Sequence, residues 1–473
     1  MSGLVTLYWI LGSNLIFSFV LSLVVYIRSQ KYYRPLIKRD KDNNPIDLHK
    51  KYDAFHPHDS VYFIQLWAGA FCFAFIKMMS SLFIVTFVNW HIRILSKIYK
   101  NCDTNPEQRL KMKKAVAFWS WLFLFMNGVI IKKRYPEYKD VYKKYLGEDY
   151  DFNDDKYSLI TSNHIGFFEV VLCMALYSPG FMAKKAIADY YFVGPISCGL
   201  NCLFVDRESE KDKKKIFELL LERQKAFYEE KNFAPLVLFP EGTCSCGRNI
   251  LRFKKGAFYS LLPVKPQIVT VDQNSSFHLS VGATNVVLGY SKNLCHTFNV
   301  IYVAILPTVR PTDYMFEHYK NLGKEKWEIY ANVVRKIYSE VGGLQETDMG
   351  LRDIKRYIKA MRTGFYDPNE NMNYEKENEN DNNKNIKENE NDNVKDKNDN
   401  ILEIKTENIQ KNKENYANII EEKKNEEEKE KENKIEKDNI IEIEEKEKDK
   451  ENERKIEDIE ENKNEKEEKL LDN

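Results

Sequence analysis

Cysteine is scarce and unpatterned in this chain: eight thiols in 473 residues are too few to staple a fold. Cys72, Cys102, Cys173, Cys198, Cys202, Cys244, Cys246 and Cys295 are therefore expected to be free thiols in a reducing compartment. Cys198/Cys202 and Cys244/Cys246 are spaced C-x3-C and C-x-C; the paired C-x2-C knuckles of a zinc site are missing, and no metal is expected. No G-x-S-x-G elbow occurs, which argues against a lipase. No G-x-G-x-x-G opens a helix, which argues against a dinucleotide site. Gly242 and Gly247 have the gap of a phosphate loop, but Arg248-Asn249 stand where Lys and Ser or Thr are required. Net charge is also absent, since 72 basic side chains balance 72 acidic ones.

That zero averages two unlike parts. Residues 371–473 hold 22 Lys+Arg and 36 Asp+Glu, a net of −14, which leaves +14 on the rest. The tail, residues 366–473, is Asn, Lys, Glu and Asp with scattered Ile. It has too little apolar surface to offset chain entropy and is expected to be disordered, with residues 418–470 carrying the four-residue Glu/Lys spacing of a solvated helix. The basic body suits an anionic partner: a membrane surface, a nucleotide phosphate or a nucleic acid.

Residues 4–27 form an almost unbroken apolar run, long enough to span a bilayer, and Arg28, Lys31, Arg34, Lys38, Arg39 and Lys41 follow at once. The basic side is expected to be cytosolic. The length of the run, and the lack of a basic n-region and of a small-residue cleavage site, favour an anchor over a cleaved signal. A second apolar stretch, 61–90, is interrupted by Lys77 and reads as one long span or a shallow hairpin. A third, 115–131, has 17 residues between Lys113-Lys114 and Lys132-Lys133-Arg134, the short limit for spanning. Basic clusters flank both later runs, which favours in-plane or re-entrant helices, a buried globular helix being the alternative for the third. This reading assigns 1–60 to an anchor and basic loop and 61–150 to membrane-embedded or interfacial helices.

From residue 151 to 365 the pattern changes. Apolar runs at 157–161, 203–205, 235–239, 267–271 and 299–306 read as strands, and 168–176, 212–231 and 327–341 as helices. Alternating elements imply an α/β domain, a mostly parallel sheet flanked by helices.

Two polar turns follow apolar strands in this region. Asn163-His164-Ile165-Gly166-Phe167-Phe168-Glu169 comes after Ser158-Leu159-Ile160, and Phe239-Pro240-Glu241-Gly242-Thr243 after Leu236-Val237-Leu238. In open α/β sheets, sites gather beyond the carboxyl ends of strands, so the two turns can share a cleft. Histidine suits proton transfer near neutral pH, and a carboxylate on one ring nitrogen leaves the other free to accept. Residues five apart do not share a helix face. His164 and Glu169 can meet only if His164 lies in the turn and Glu169 in the first helical turn, with Gly166 supplying the freedom. A capped helix start with an incidental histidine fits the same residues, as do a strand-end Arg207 and a Glu241 bonded to local backbone.

Taken together the blocks resemble the glycerolipid acyltransferase superfamily, the PlsC-like enzymes. Asn163-His164-x4-Glu169 is similar to that family's first block, with Glu where Asp is usual. Leu203-Phe204-Val205-Asp206-Arg207 resembles the second, and Phe239-Pro240-Glu241-Gly242-Thr243-Cys244-Ser245 the third. Phe253-Lys254-Lys255-Gly256-Ala257-Phe258 and Pro263-Val264-Lys265-Pro266 follow in the family's order. Cys244 after Glu-Gly-Thr looks like the lysophosphatidylcholine and lysophosphatidylethanolamine branch. The resemblance implies an integral membrane enzyme of the endoplasmic reticulum, its catalytic domain facing the cytosol, with membrane lipids as its surroundings and no nucleic-acid partner. It implies acyl-CoA as donor substrate, no bound cofactor, and a lysophospholipid hydroxyl as acceptor. It further implies His164 as general base supported by Glu169, with Asn163, Arg207, Glu241, Gly242 and Thr243 placing the substrate. Glycerol 3-phosphate or 1-acylglycerol 3-phosphate is the alternative acceptor. A non-catalytic membrane scaffold acting through the acidic tail is the alternative of another class.

Overall fold

Short runs of Val, Ile and Leu with both faces covered make strands of a buried sheet, and the tightest of them here, Leu159–Ser162 and Leu236–Leu238, are buried at every residue. The computed structural model describes residues 2–367 except 41, 60, 99–104, 192, 206–209, 231–234 and 273–276. Arg207 and nearly all of the acidic tail lie outside the described residues.

The main sheet has seven strands: β1 (Val129–Lys133), β2 (Leu159–Ser162), β3 (Gly180–Lys184), β4 (Leu203–Val205), β5 (Leu236–Leu238), β6 (Val264–Val271) and β7 (Asn299–Ile305). Their spatial order is β1-β7-β6-β2-β5-β3-β4. Every neighbouring pair is parallel except β6–β7. The helices of seven residues or more are α1 (Ser2–Tyr33), α2 (Phe63–Gly69), α3 (Phe75–Ile98), α4 (Pro106–Met126), α5 (Lys139–Leu146), α6 (Phe167–Tyr177), α7 (Glu210–Glu230), α8 (Val286–Leu294), α9 (Lys326–Gly342) and α10 (Leu351–Thr363). The protein is thus an α/β fold with a mostly parallel sheet flanked by helices. On one side, α9 buries Tyr330, Val333, Val334, Ile337 and Tyr338 in the largest apolar cluster. Elsewhere Phe123 and Leu124 of α4 pack with Phe168, Val171 and Leu172 of α6.

Two helical stretches, Val5–Tyr33 and Phe63–Ile98, are long and apolar enough to cross a membrane. The second joins α2 to α3 through a π-helical turn at Ala70–Ala74, so it is one continuous rod rather than a hairpin. Both expose large apolar side chains such as Trp9, Ile16, Ile64 and Trp90. A contiguous apolar surface of this kind associates with a membrane. Lys77, in the middle of the second stretch, is buried, and its ammonium donates to the carbonyls of Asn293 (3.1 Å) and His296 (2.6 Å). Protein oxygens, not lipid, surround that charge.

The apolar run at 115–131 is not one helix. Helix α4 stops at Met126, Asn127-Gly128 turns with Gly128 at φ +69°, and Val129 starts β1. Strand β1 pairs with β7, Val129 opposite Asn299, so a piece of the stretch expected to be an interfacial, re-entrant or buried helix is an edge of the sheet. Alternation of apolar residues cannot separate a buried helix from a buried strand, but the Asn-Gly turn can.

Candidate active site

Strands β2 and β5 are adjacent and parallel, with Ile160 opposite Val237 and Thr161 opposite Leu238. Their carboxyl ends therefore deliver Asn163-His164 and Phe239–Thr243 to the same edge. Asn163 is fully buried. Its amide donates to the Val269 carbonyl (2.8 Å), and its oxygen accepts the Val269 N–H (2.7 Å). This paired bond splices the end of β2 to β6. Asn163, expected to meet substrate, is thereby committed to the backbone.

His164 begins the turn, and hydrogen bonds hold the backbone from His164 to Gly166. Its N–H donates to Glu241 (2.7 Å), and its carbonyl accepts from the Ser245 N–H (2.8 Å). The next carbonyl, of Ile165, accepts from the Val281 N–H (2.7 Å). Gly166 has to be glycine because a Cβ there would lie 2.7 Å from Val281 Cγ2 and 3.2 Å from the Leu279 carbonyl. After it α6 begins, and Glu169 occupies the third helical position. Its carboxylate accepts the backbone N–H groups of Gly166, the helix cap, and of Ile165 just before it. The other oxygen of Glu169 bonds His164 Nδ1. One carboxylate thus caps the helix and orients the imidazole.

Glu169 is wholly buried, whereas the His164 side chain keeps 20% of its surface exposed. Phe239 stacks on the imidazole, with centroids 4.3 Å apart and planes 16° apart, and Phe181 stacks behind Phe239. Burial disfavours the imidazolium, but Cys244 and Glu169 outweigh it and hold the ring's pKa well above the ordinary value. Burial also raises the Glu169 carboxyl, against the pull of His164 and the two N–H groups.

Glu241 is also fully buried. Its two oxygens accept the N–H groups of His164 (2.7 Å) and Leu251 (2.9 Å). Burial pushes its carboxyl up to about 7, and the two N–H bonds restrain it. The family resemblance implied a contact to substrate, and the residues alone also fitted a carboxylate bonded to backbone; the geometry gives Glu241 the second arrangement, a brace between the two turns. Gly242 adopts φ +68°, and the Lys254 side chain crosses it, since a Cβ there would meet Nζ at 2.5 Å. Thr243 and Cys244 are half-buried.

The structure therefore brings together His164, Glu169, Asn163, Glu241, Gly242 and Thr243, while Arg207 lies outside the described residues. Sequence reasoning assigns no role to Phe239, Lys254 or Val281. Phe239 and Lys254 flank the Glu-Gly-Thr turn closely enough to be suspected; Val281 carries no local signal.

Comparison with known proteins identifies the class. Residues 141–272 match the family model described as Acyltransferase, and this part of the chain is an acyltransferase domain. The chain is 31% identical over 209 residues to lysophospholipid acyltransferase LPEAT1 of Arabidopsis thaliana, covering 43% of this chain and 49% of that one. It is 22% identical over 197 residues to the lysophosphatidylcholine acyltransferase of Drosophila melanogaster, covering 41% and 35%. For human lysophosphatidylcholine acyltransferase 2 the identity is 23% over 209 residues, covering 42% and 35%. The chain thus spans about a third to a half of the length of these relatives. Among solved structures, the 1-acyl-sn-glycerophosphate acyltransferase PlsC of Thermotoga maritima overlays with TM-score 0.35 and 16% identity, over 56% of this chain and 97% of that one.

Proposed function

We propose that this protein is an acyl-CoA-dependent O-acyltransferase that esterifies the free hydroxyl of a lysophospholipid, seated in the endoplasmic reticulum membrane with its catalytic domain toward the cytosol. The observation that carries the reading is the partly exposed His164 imidazole bonded at Nδ1 by the buried Glu169 carboxylate. In this mechanism His164 takes the hydroxyl proton, and the alkoxide attacks the thioester carbonyl of acyl-CoA directly. The C–S bond breaks, and the departing CoA thiolate receives the proton from the imidazolium. The products are a diacyl phospholipid and CoA thiol. Glu169 keeps Nδ1 as donor and favours the imidazolium. Backbone N–H groups of one of the two turns stabilise the tetrahedral oxyanion. No cofactor is needed. Lys254 beside Gly242, together with Arg207, supplies positive charge for the acceptor phosphate, and Thr243 a hydroxyl. The apolar helices keep the site at the interface where a membrane acceptor meets a soluble donor.

The test uses membranes holding the full chain, radiolabelled acyl-CoA and a panel of acceptors: lysophosphatidylcholine, lysophosphatidylethanolamine, 1-acylglycerol 3-phosphate and glycerol 3-phosphate. Transfer to the first two, lost in His164→Ala, is expected. Preference for either of the last two would change the acceptor. Absence of transfer to all four would leave a membrane scaffold.

A further inference from the structure

A cavity at the end of α1 shares no lining residue with the His164 turn. It has a volume of about 220 Å³ and opens between Lys31 of α1, Thr284 and Asn285 before α8, and Ile358, Met361 and Arg362 of α10. Arg362 belongs to a basic stripe: Arg352, Lys355, Arg356, Lys359 and Arg362 recur at helical spacing along α10. The opposite face of α10 buries Ile354, Tyr357 and Ala360. The Tyr357 hydroxyl bonds His49 Nδ1 (2.7 Å) and His56 Nδ1 (2.8 Å), which fixes the helix in place. Lys31 and Arg362 are both exposed, and among the described residues neither makes an ion pair. Two cations thus face one cavity with no carboxylate to satisfy them.

The lining combines these cations with apolar side chains, Ile358 and Met361. On α1, Val24 and Ile27 precede Lys31 by seven and four residues and so share its face. They are 44% and 60% exposed, which continues an apolar track from the cavity along the helix. Because Val5–Tyr33 is a candidate span, Lys31 sits at headgroup depth. The start of the nine-residue α8 is capped by Asn285, whose side-chain oxygen accepts the Val287 N–H (2.7 Å), so the helix contributes its dipole alone.

We propose that this cavity binds the anionic headgroup of a bilayer glycerophospholipid, its phosphate between Lys31 and Arg362 and its acyl chains along Val24 and Ile27. The ligand is a component of the surrounding bilayer, and the site is separate from the one that transfers the acyl group. It orients the catalytic domain on the membrane through α10. The inference does not depend on which acceptor the His164 centre uses.

The test is native mass spectrometry of the purified full chain in neutral detergent, titrated with phosphatidylglycerol or phosphatidylcholine. Wild type should prefer phosphatidylglycerol. Lys31→Gln/Arg362→Gln should weaken that preference by roughly tenfold or more, since each cation contributes about a fourfold to fivefold factor at a membrane surface. Val286→Trp, which fills the mouth without changing charge, should weaken it as well. Lys355→Gln/Lys359→Gln removes the same charge outside the cavity and should leave it within about twofold, as should His164→Ala. Equal loss in the Lys355/Lys359 control would mean diffuse attraction, and unchanged binding in both cavity variants would overturn the site. Displacement of the lipid by equimolar inorganic phosphate would mean a free-phosphate site and would also sink the proposal. Circular dichroism of each variant confirms that the fold is kept.

Discussion

Glu241 accepts the backbone N–H of His164 at 2.7 Å although the two residues are 77 positions apart. Its other oxygen accepts Leu251 N–H at 2.9 Å, so a single carboxylate ties the histidine turn to the Glu-Gly-Thr turn. Glu241→Gln must turn an amide N–H₂ toward one of those donors, and leaving one buried N–H unsatisfied costs about 1–3 kcal/mol. The expected result is a Tm lower by about 2–10 °C, together with a fall in kcat larger than any change in KM. Thermal melts and steady-state kinetics on one preparation check this, and wild-type values in both would remove the brace.

Glu169 governs a pH dependence. A general base acts only when unprotonated, and His164 holds its proton above the ordinary imidazole range because Cys244 and Glu169 outweigh burial. The acid limb of the rate profile should therefore lie on the alkaline side of the usual value. Glu169→Gln removes a negative charge that favours the imidazolium, so the limb should move to lower pH while the plateau falls by about 10²-fold or more. Glu169→Asp keeps the charge but shortens the reach, and should retain more activity than the Gln variant. A Gln enzyme with full activity would strip Glu169 of its role.

Gly166→Ala tests the packing of the turn. The new methyl would come within 2.7 Å of Val281 Cγ2 and 3.2 Å of the Leu279 carbonyl, and overpacking of this kind costs about 1–3 kcal/mol. Val281→Ala in the same chain should recover part of the lost stability, measured by thermal unfolding. A failure of the second substitution to help would place the strain elsewhere.

Lys254 crosses Gly242 at the mouth of the second turn. Lys254→Met keeps the apolar stem and removes the charge. If the ammonium meets a substrate phosphate, KM should rise by about tenfold to a hundredfold with a smaller effect on kcat. Varying donor and acceptor separately shows which phosphate it meets; unchanged KM for both would make Lys254 a cover for the turn and no more.

The central geometry is legible in the sequence because strand ends and polar turns are local signals. Leu236-Val237-Leu238 before Pro240-Glu241-Gly242 announces a strand ending in a turn, and the same holds for Leu159-Ile160 before Asn163-His164. What cannot be read are bonds that close over long separations. Asn163 meets Val269 across 106 residues and Glu241 meets His164 across 77, so both look like ligand-facing polar residues until burial is known. Strand β1 is hidden for a different reason: an apolar helix and an apolar edge strand run together in composition, and only Asn127-Gly128 separates them. Lys77 looks like a break in a membrane helix because the carbonyls that accept from it are more than two hundred residues away.

The most direct test of the account is single-turnover acyl transfer from labelled acyl-CoA to lysophosphatidylcholine and lysophosphatidylethanolamine, comparing wild type with His164→Ala in the same membranes. The account predicts a loss of at least about 10²-fold in the rate of the chemical step, with donor binding retained. Transfer by the His164→Ala protein at the wild-type rate would contradict it.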